Sequence, residues 1–494
     1  MTQMRFVTVL AIMLAAFSLK SQSISGKIQD KDGSPLAGAF IHLENTYLYS
    51  TSDDEGQFSF NGLEKGEYVL FVSYLGFDDV YQEVEIGSGA APIVVSMSPR
   101  PFSAEEVVVR GLRADRGVPM AYTNISKEEL SEVNLGQDIP ELLNAIPSLY
   151  FSSDAGNGVG YTYLRLRGSD QSNINVQING IPLNDSESHG VFWVNMPDLA
   201  SSTESIQIQR GVGTSSNGAG AFGGSINLLL DGVRAESYGE VNASVGSFGT
   251  RRLNASFGTG LIKDHWTFDG RLSDIQSDGY VDRSASKLNS YYLSGSYTDD
   301  KNSLRAITFG GKEVTHQAWF GTPEGVLTGD SALALGFAFD NGFTQSDIDD
   351  LLTFDRRFNY YSYDREVDDY GQDHYQLHFN RDLEKGMLLN ISAHYTKGQG
   401  YFEQYQDVEN FTHDTDFGFY GLDKPVIGSD TIEAGDFIRR RWLDNDFYGA
   451  IASLNIKKEK TDTWIGGGWN IYEGDHFGEV IWAQYASDSG IRDR

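Results

Sequence analysis

Residues 163–185, YLRLRGSDQSNINVQINGIPLND, and residues 202–228, STESIQIQRGVGTSSNGAGAFGGSINL, decide how this chain is read. Glycine-containing turns such as Asn179-Gly180 and Gly223-Gly224 punctuate both stretches, and Arg165 and Arg167 form a pair of charges in the first. The run GAGAFGG spaces its glycines like a nucleotide fingerprint. No helix follows it and no ribose-binding acid lies downstream, so a nucleotide site is not read there. Just upstream, Ser126-Lys127-Glu128-Glu129 is a capping-box sequence. Residues 138–151, DIPELLNAIPSLYF, predict a short helix opened by Asp138 and Pro140 and stopped before Pro147.

The 494 residues carry 38 Lys+Arg against 69 Asp+Glu, a net charge of −31. Binding phosphates needs clustered basic residues, so nucleic acid is excluded as a partner. There is no cysteine. That removes disulfides, thiolate metal sites, a cysteine nucleophile and a lipidated N-terminal cysteine. With 55 Gly, 26 Tyr and 29 Phe, the composition points to extended β structure and not to a soluble helical enzyme. The N-terminus reads as an export signal over residues 1–23. Arg5 supplies the positive end, residues 6–17 are apolar except for Thr8, and Lys20, Ser21, Gln22 and Ser23 end the run. The run is shorter than the roughly 20 apolar residues of a spanning helix. No later segment comes near that length, so any membrane placement requires a β-barrel.

Residues 24–98 alternate short strands with turn signals at Lys31-Asp32-Gly33, Asp53-Asp54-Glu55-Gly56 and Glu64-Lys65-Gly66. Strand signals every 8–12 residues or so read as a small β-sandwich. The strand with Val69, Phe71 and Ser73 alternating against Leu70, Val72 and Tyr74 is expected to be buried on both faces. The acids Asp30, Asp32, Asp53, Asp54 and Glu55 are read as turn residues rather than as a calcium loop. Over its whole length this zone resembles the carboxypeptidase regulatory-like (transthyretin-like) domain. Residues 99–120 form a linker, in which Pro99 and Pro101 prevent helix. Within it, Glu105, Glu106, Val107, Val108, Val109, Arg110 and Gly111 form a stiff, strand-prone segment. On position alone it is either an edge strand of the sandwich or a strand lent to a partner by β-augmentation.

Residues 121–232 carry the decisive likeness. Arg165, Arg167-Gly168, Asn179-Gly180, Pro182, Arg210-Gly211, Gly220 and Gly223-Gly224 fall where the plug domain of TonB-dependent outer-membrane receptors has its "LRGxG", "VxIDGVPLND" and "IExIEVxRGPxSxxYGxxAxGGVINI" motifs. The chain resembles that family block by block. Asn217-Gly218 replaces the family's usual Tyr-Gly. The Lys-Asp-Ala and "SRAANG"-like runs of the glycan-importing branch are missing, which speaks against a large glycan. The resemblance implies that Glu106, Val107, Val108, Val109 and Arg110 act as a TonB box, and that plug arginines (Arg165, Arg167, Arg210) pair with acids of a barrel wall. It also implies that ligand binds between plug apical loops and barrel loops. In this chain residues 185–198, DSESHGVFWVNMPD, hold His189, Phe192 and Trp193, expected to form an exposed aromatic cluster that binds ligand.

Residues 233–494 show the two-residue alternation of barrel strands, for example Tyr375, Leu377 and Phe379 against His374, Gln376 and His378, or Leu389, Ile391, Ala393 and Tyr395 against Asn390, Ser392 and His394. Residues 322–373 and 407–436 read as long extracellular loops. His374 and His378 lie about 13 Å apart on a strand, too far to share one metal ion, and are assigned to lumen lining. The Arg439-Arg440-Arg441 run is open to two readings, contact with an anionic ligand or a loop-base cation cluster.

The expected architecture is mainly β: a small β-sandwich, an α/β plug domain, and the N-terminal part of a 22-stranded transmembrane β-barrel. The third zone holds about 260 residues, room for some 10–13 strands, too few to enclose the plug. An open half-barrel from a truncated chain is therefore expected. The expected function is TonB-dependent import of a metal chelate (a ferric siderophore or similar) across the outer membrane of a Gram-negative cell. The N-terminal domain would be periplasmic. Partners would be TonB with its inner-membrane energising complex, the chelate, and outer-membrane lipid, with no enzyme activity, no cofactor and no resident metal. The alternatives are the same architecture importing a peptide, vitamin or oligosaccharide, and a non-transporting adhesion or scaffold protein.

Overall fold

A computed structural model describes residues 22–97, 113–114, 120–213, 220–299, 301–383, 386–408, 415–458, 461–485 and 491–492, apart from positions 32, 45, 47, 64, 75–76, 78–79, 87–91, 341–342 and 344. Residues 1–21 of the expected export signal, the segment from Glu105 to Gly111 and Asn217-Gly218 lie outside the described residues, while Gln22 and Ser23, read as the end of that signal, open the first strand. The chain divides into two compact units, Met1–Ser103 and Ala104–Arg494.

The first unit is a two-sheet sandwich. Strand Gln22–Asp30 sits between Gln57–Leu63, antiparallel, and Ile93–Met97, parallel. The second sheet runs Tyr49–Thr51, Phe40–Leu43, Gly66–Ser73, Val80–Ile86. Inward positions Ile24, Ile28, Ile41, Leu43, Phe58, Phe60, Leu70, Val72, Val95 and Met97 form one core. In Gly66–Ser73 only Leu70 and Val72 are fully buried. The opposite face is half-covered, Phe71 leaning on Tyr81 at 4.9 Å, so the expectation of two buried faces holds for one. The acidic turns close on themselves: Asp53 Oδ1 accepts from the N–H groups of Glu55 and Gln57.

The second unit combines the plug with a wall. The plug sheet runs Ile181–Pro182, Ile174–Ile178, Gly224–Leu230, Thr203–Arg210, Ala121–Ser126, with Ile174–Ile178 parallel to Gly224–Leu230. Ile206, Ile208, Ile226 and Leu228 on one face join the core of helix Lys127–Val133. Ser126 and Glu129 cap that helix reciprocally, as the capping-box sequence predicts. The helix expected to open at Asp138 and stop before Pro147 is a single turn, Ile139–Leu142. Asp138 makes no side-chain cap there because its carboxylate accepts the Thr162 hydroxyl instead, at 2.9 Å. Residues 149–153 turn to strand and pair with Thr162–Leu166.

The wall is one antiparallel sheet of ten strands running from Tyr238–Val245 to Ile491–Arg492. Its polarity is the reverse of a soluble sheet. Leu272, Leu293, Tyr375, Leu377 and Ile391 are exposed, while Asn254, Arg271, Arg305, His378 and Asn390 face the plug and are buried. This is the apolar-out, polar-in alternation of a barrel wall that faces hydrocarbon. Among the described residues the first and last strands do not pair with each other, so the sheet is open. Strand Val367–Asp382 begins inside the stretch expected as loop. The insert before it carries three short helices, Glu324–Thr328, Ser331–Asp340 and Gln345–Leu351. Among the described residues no helix is long and apolar enough to cross a membrane.

Candidate functional site

Above the plug, a concavity of about 780 Å³ opens between the plug loop at 182–196 and the wall strands. The loop is tied by Asp185. Asp185 Oδ1 accepts from the N–H groups of Glu187 and Ser188 and from the Ser188 hydroxyl, and the His189 N–H returns to the Asp185 carbonyl. His189 adopts φ +60° and is exposed. The 3-10 turn Trp193–Asn195 then drives the chain inward. The expected aromatic cluster is split as a result. Phe192 lines the concavity at 38% exposure, whereas Trp193 is 3% exposed and belongs to the plug core. Glu187 reaches across to the wall, where His476 Nε2 lies 2.9 Å from its carboxylate.

Aromatic rings and arginines make the sides. Trp319 stands edge-on to both Tyr161, at 6.3 Å, and Phe402, at 5.6 Å. The Tyr161 hydroxyl donates to Asp368. Burial, with the Glu313 and Asp368 carboxylates nearby, pushes that hydroxyl well above its ordinary range, so it stays a donor. All three arginines of the 439–441 run border the concavity. Arg439 donates to the Tyr420 hydroxyl and to Gln404, and Arg440 donates to Glu403 at 2.8 Å while lying 4.3 Å over the Tyr401 ring. Arg441 is exposed, 5.9 Å above Phe402, and makes no ion pair among the described residues. Tyr161, Trp319, Phe402 and Tyr401 were not singled out from the sequence. They carry no motif, and loop closure and strand register alone bring them together. His374 and His378 line the wall as expected, on Thr396 and Ser392 respectively. Among the described residues no cluster of acids and histidines could hold a metal ion.

The plug sits on the wall through an ion triad formed by a plug acid and two wall arginines. The carboxylate of plug Asp198 lies 2.9 Å from Arg252 and 3.3 Å from Arg271 of the wall. It also accepts from Asn254, Ser273 and Ser201. Burial alone would raise this carboxyl. Arg271, then Arg252, then the Ser273 and Ser201 hydroxyls outweigh burial and hold it at about 2. The side chains of Arg165 and Arg210 find partners inside the plug. Arg165 lies 3.8 Å from Asp170, and Arg210 donates to Thr123 and to the Tyr122 and Pro147 carbonyls. Arg167, at φ +52°, sends its N–H to the Ser148 carbonyl. Glycine makes the closest approach possible: a Cβ at Gly311 of the wall would stand 2.4 Å from Pro197 Cδ and 3.0 Å from the Asn195 carbonyl.

Two family models match the chain: the CarboxypepD_reg-like domain over residues 24–109 and the TonB-dependent Receptor Plug Domain over residues 114–225. The probable TonB-dependent siderophore receptor PirA of Acinetobacter baumannii is 26% identical over 127 residues, covering 24% of this chain and 17% of its own. The ferrienterobactin receptor of Escherichia coli K12 is 23% identical over 198 residues, covering 36% and 26%. The matches thus span about a quarter or less of these relatives. The open form of the ferric-catecholate import receptor Fiu from E. coli K12 superposes with TM-score 0.53 at 16% identity, covering 76% of this chain and 53% of that one. At that identity the likeness establishes the fold, a plug against a TonB-dependent receptor's barrel wall. The matched domain and its neighbours are receptors and not enzymes. The chain therefore carries a carboxypeptidase regulatory-like domain followed by the plug domain of a TonB-dependent receptor.

Proposed function

We propose that the chain imports an anionic metal chelate, a ferric siderophore or similar, across the outer membrane in a TonB-dependent step. The observation that carries this reading is the concavity itself. It joins a plug apical loop to a wall lined with aromatic rings and with Arg441, whose cation has no acid to answer it among the described residues. Apolar walls with a few placed charges are what small-ligand sites are made of. A chelate with anionic, flat donor groups meets both features, the guanidinium through charge and the Phe402, Trp319 and Phe192 rings through stacking. The wall would stand in the outer membrane of a Gram-negative cell, with residues 24–98 on the periplasmic side. Glu106, Val107, Val108, Val109 and Arg110 would add as a strand to TonB, which is energised from the inner membrane. Main-chain hydrogen bonds carry such pairing, so Val108→Pro should abolish transport and leave surface binding of ligand intact. The deciding experiment is uptake of labelled iron with a panel of siderophores in a deletion strain complemented with the gene. No iron uptake above the deletion background with any of them would reject the reading.

A further inference from the structure

Arg113 and Ala114 are the described residues nearest the start of the plug, and both are fastened to its sheet. Arg113 donates from Nη1 to the Ser205 hydroxyl at 2.9 Å, and from Nη2 to the Ser205 carbonyl at 3.0 Å and the Asn227 carbonyl at 2.8 Å. One guanidinium thus grips two adjacent strands. Next to it, the Gln207 amide takes both backbone groups of Ala114: Oε1 accepts its N–H at 2.7 Å and Nε2 donates to its carbonyl at 2.9 Å. Gln207 is 2% exposed and is itself fixed, donating to Asn124 Oδ1 and accepting from Gln209. In register it lies between Asn227 and Asn124, at the middle of a three-strand row.

The place of this clasp in the sheet has a mechanical consequence. Ala121–Ser126 is the edge strand. Tension on the linker, arriving at residue 121, would peel that strand one hydrogen bond at a time. Tension that stops at residues 113–114 loads Thr203–Arg210 and Gly224–Leu230 instead. The second of these is paired in parallel with Ile174–Ile178. That strand is bound to the ligand loop through Asn184, whose side chain accepts from the Val176 N–H and donates to the Ile174 carbonyl. We propose that the Arg113–Ala114 clasp is the point at which force on the linker enters the plug. Arg113 and Gln207 then act as positioning residues that route the pull to the strand beneath the ligand loop. The inference rests on the TonB-dependent reading for its biological use, but its mechanics can be measured without it.

Because the chain has no cysteine, Ser103→Cys gives a single attachment point for pulling the full chain in a lipid membrane by force spectroscopy. The first force peak is expected at the contour length of residues 113–114. In Arg113→Ala it should vanish, and the first peak should move out to the start of the edge strand at Ala121, about 7–8 residues or ~25 Å of extended chain further. Arg113→Lys keeps the charge and loses the fork, so the peak should survive at lower force. A first peak at the same length in wild type and Arg113→Ala overturns the clasp. In cells, Arg113→Ala should import the siderophore that wild type imports roughly ten-fold more slowly, with surface binding of it and capture of a purified periplasmic TonB domain held within about two-fold. Unchanged import would equally overturn it. Absence of import or of TonB capture in wild type would reject the functional reading, leaving the force peaks to decide the clasp.

Discussion

Asp198 of the plug and Arg252 of the wall meet at 2.9 Å, the carboxylate fully buried and the guanidinium side chain 6% exposed. Arg271 completes the triad. Removing one partner of a buried ion network leaves the rest uncompensated, which costs about 3–5 kcal/mol. Asp198→Asn should therefore lower the thermal midpoint of plug unseating and raise hydrogen exchange in residues 198–210, with the wall strands protected. The pH sign follows from the depressed carboxyl. Its contribution is fully present above the ordinary aspartate value near 3.8 and is lost as pH falls toward about 2. The seat should hold through neutral and mildly acid pH and fail in wild type only below about 4. If Asp198→Asn matches wild type in exchange at pH 7, the triad is not what seats the plug.

A second buried carboxyl of the plug should respond to pH in the opposite sense. Burial pushes the Asp138 carboxyl up from 3.8 to about 8, with the Thr162 hydroxyl opposing and Glu141 adding to the rise. Glu313 of the wall is fully buried nearby, and its Oε1 meets no hydrogen-bond donor among the described residues. Here the folded state binds the proton more tightly, so stability is complete below about 4 and drains away as pH rises toward 8. Maleimide labelling of Val159→Cys, a position 1% exposed, should speed up between pH 5 and roughly 8.5. Asp138→Asn in the same Val159→Cys background should flatten that profile, leaving only the rise due to thiolate formation, and the same profile with and without Asp138 would refute the assignment.

These two carboxyls show what the sequence could and could not disclose. The alternation around Tyr375, Leu377 and Phe379 made the wall legible, because a period of two with aromatics on one side and polar groups on the other is a strand between two unlike media. Ser126 and Glu129 announced their helix through a three-residue spacing. Asp198 announced nothing. Its partners lie 54 and 73 positions away, on strands whose register no local pattern reveals. The helix expected from Asp138 to before Pro147 shrank to one turn for a related reason. The residue that should have capped it is taken by Thr162, 24 positions on. The arginine run at 439–441 was visible as charge, but only cross-strand pairing gave it Tyr401 and Phe402 as neighbours.

Phe192 and Trp193 are adjacent in sequence and separated in role, which a pair of truncations should expose. Trp193→Ala empties a position in the plug core and should cost about 3–5 kcal/mol of plug stability. Phe192→Ala removes a ring that lines the concavity beside Tyr161, at 6.5 Å. It should weaken binding of the imported siderophore roughly ten-fold, with the unfolding midpoint moved by no more than about 2 °C. Calorimetry and equilibrium binding on the same preparations separate the two effects. Equal loss of stability in both variants would return Phe192 to a packing role.

One tight approach of plug and wall should be governed by a single missing carbon. Gly311 lies within a wall strand, and a Cβ there would stand 2.4 Å from Pro197 Cδ, 3.0 Å from the Asn195 carbonyl and 3.1 Å from the Asn289 carbonyl. Two of these atoms belong to the plug segment that runs into Asp198. The ring of Pro197 cannot swing aside like the tip of a long side chain, and both carbonyls are backbone. A methyl group must therefore displace the plug segment or bend the strand. Overpacking of this kind costs about 1–3 kcal/mol. Gly311→Ala should loosen the Asp198 triad without touching it, and Gly311→Val should do so further. Hydrogen exchange in residues 195–203 would report it, with the strand pairings of residues 286–298 as the internal control. An unchanged exchange profile in Gly311→Val would mean that the wall gives way there and that the seat does not depend on this contact.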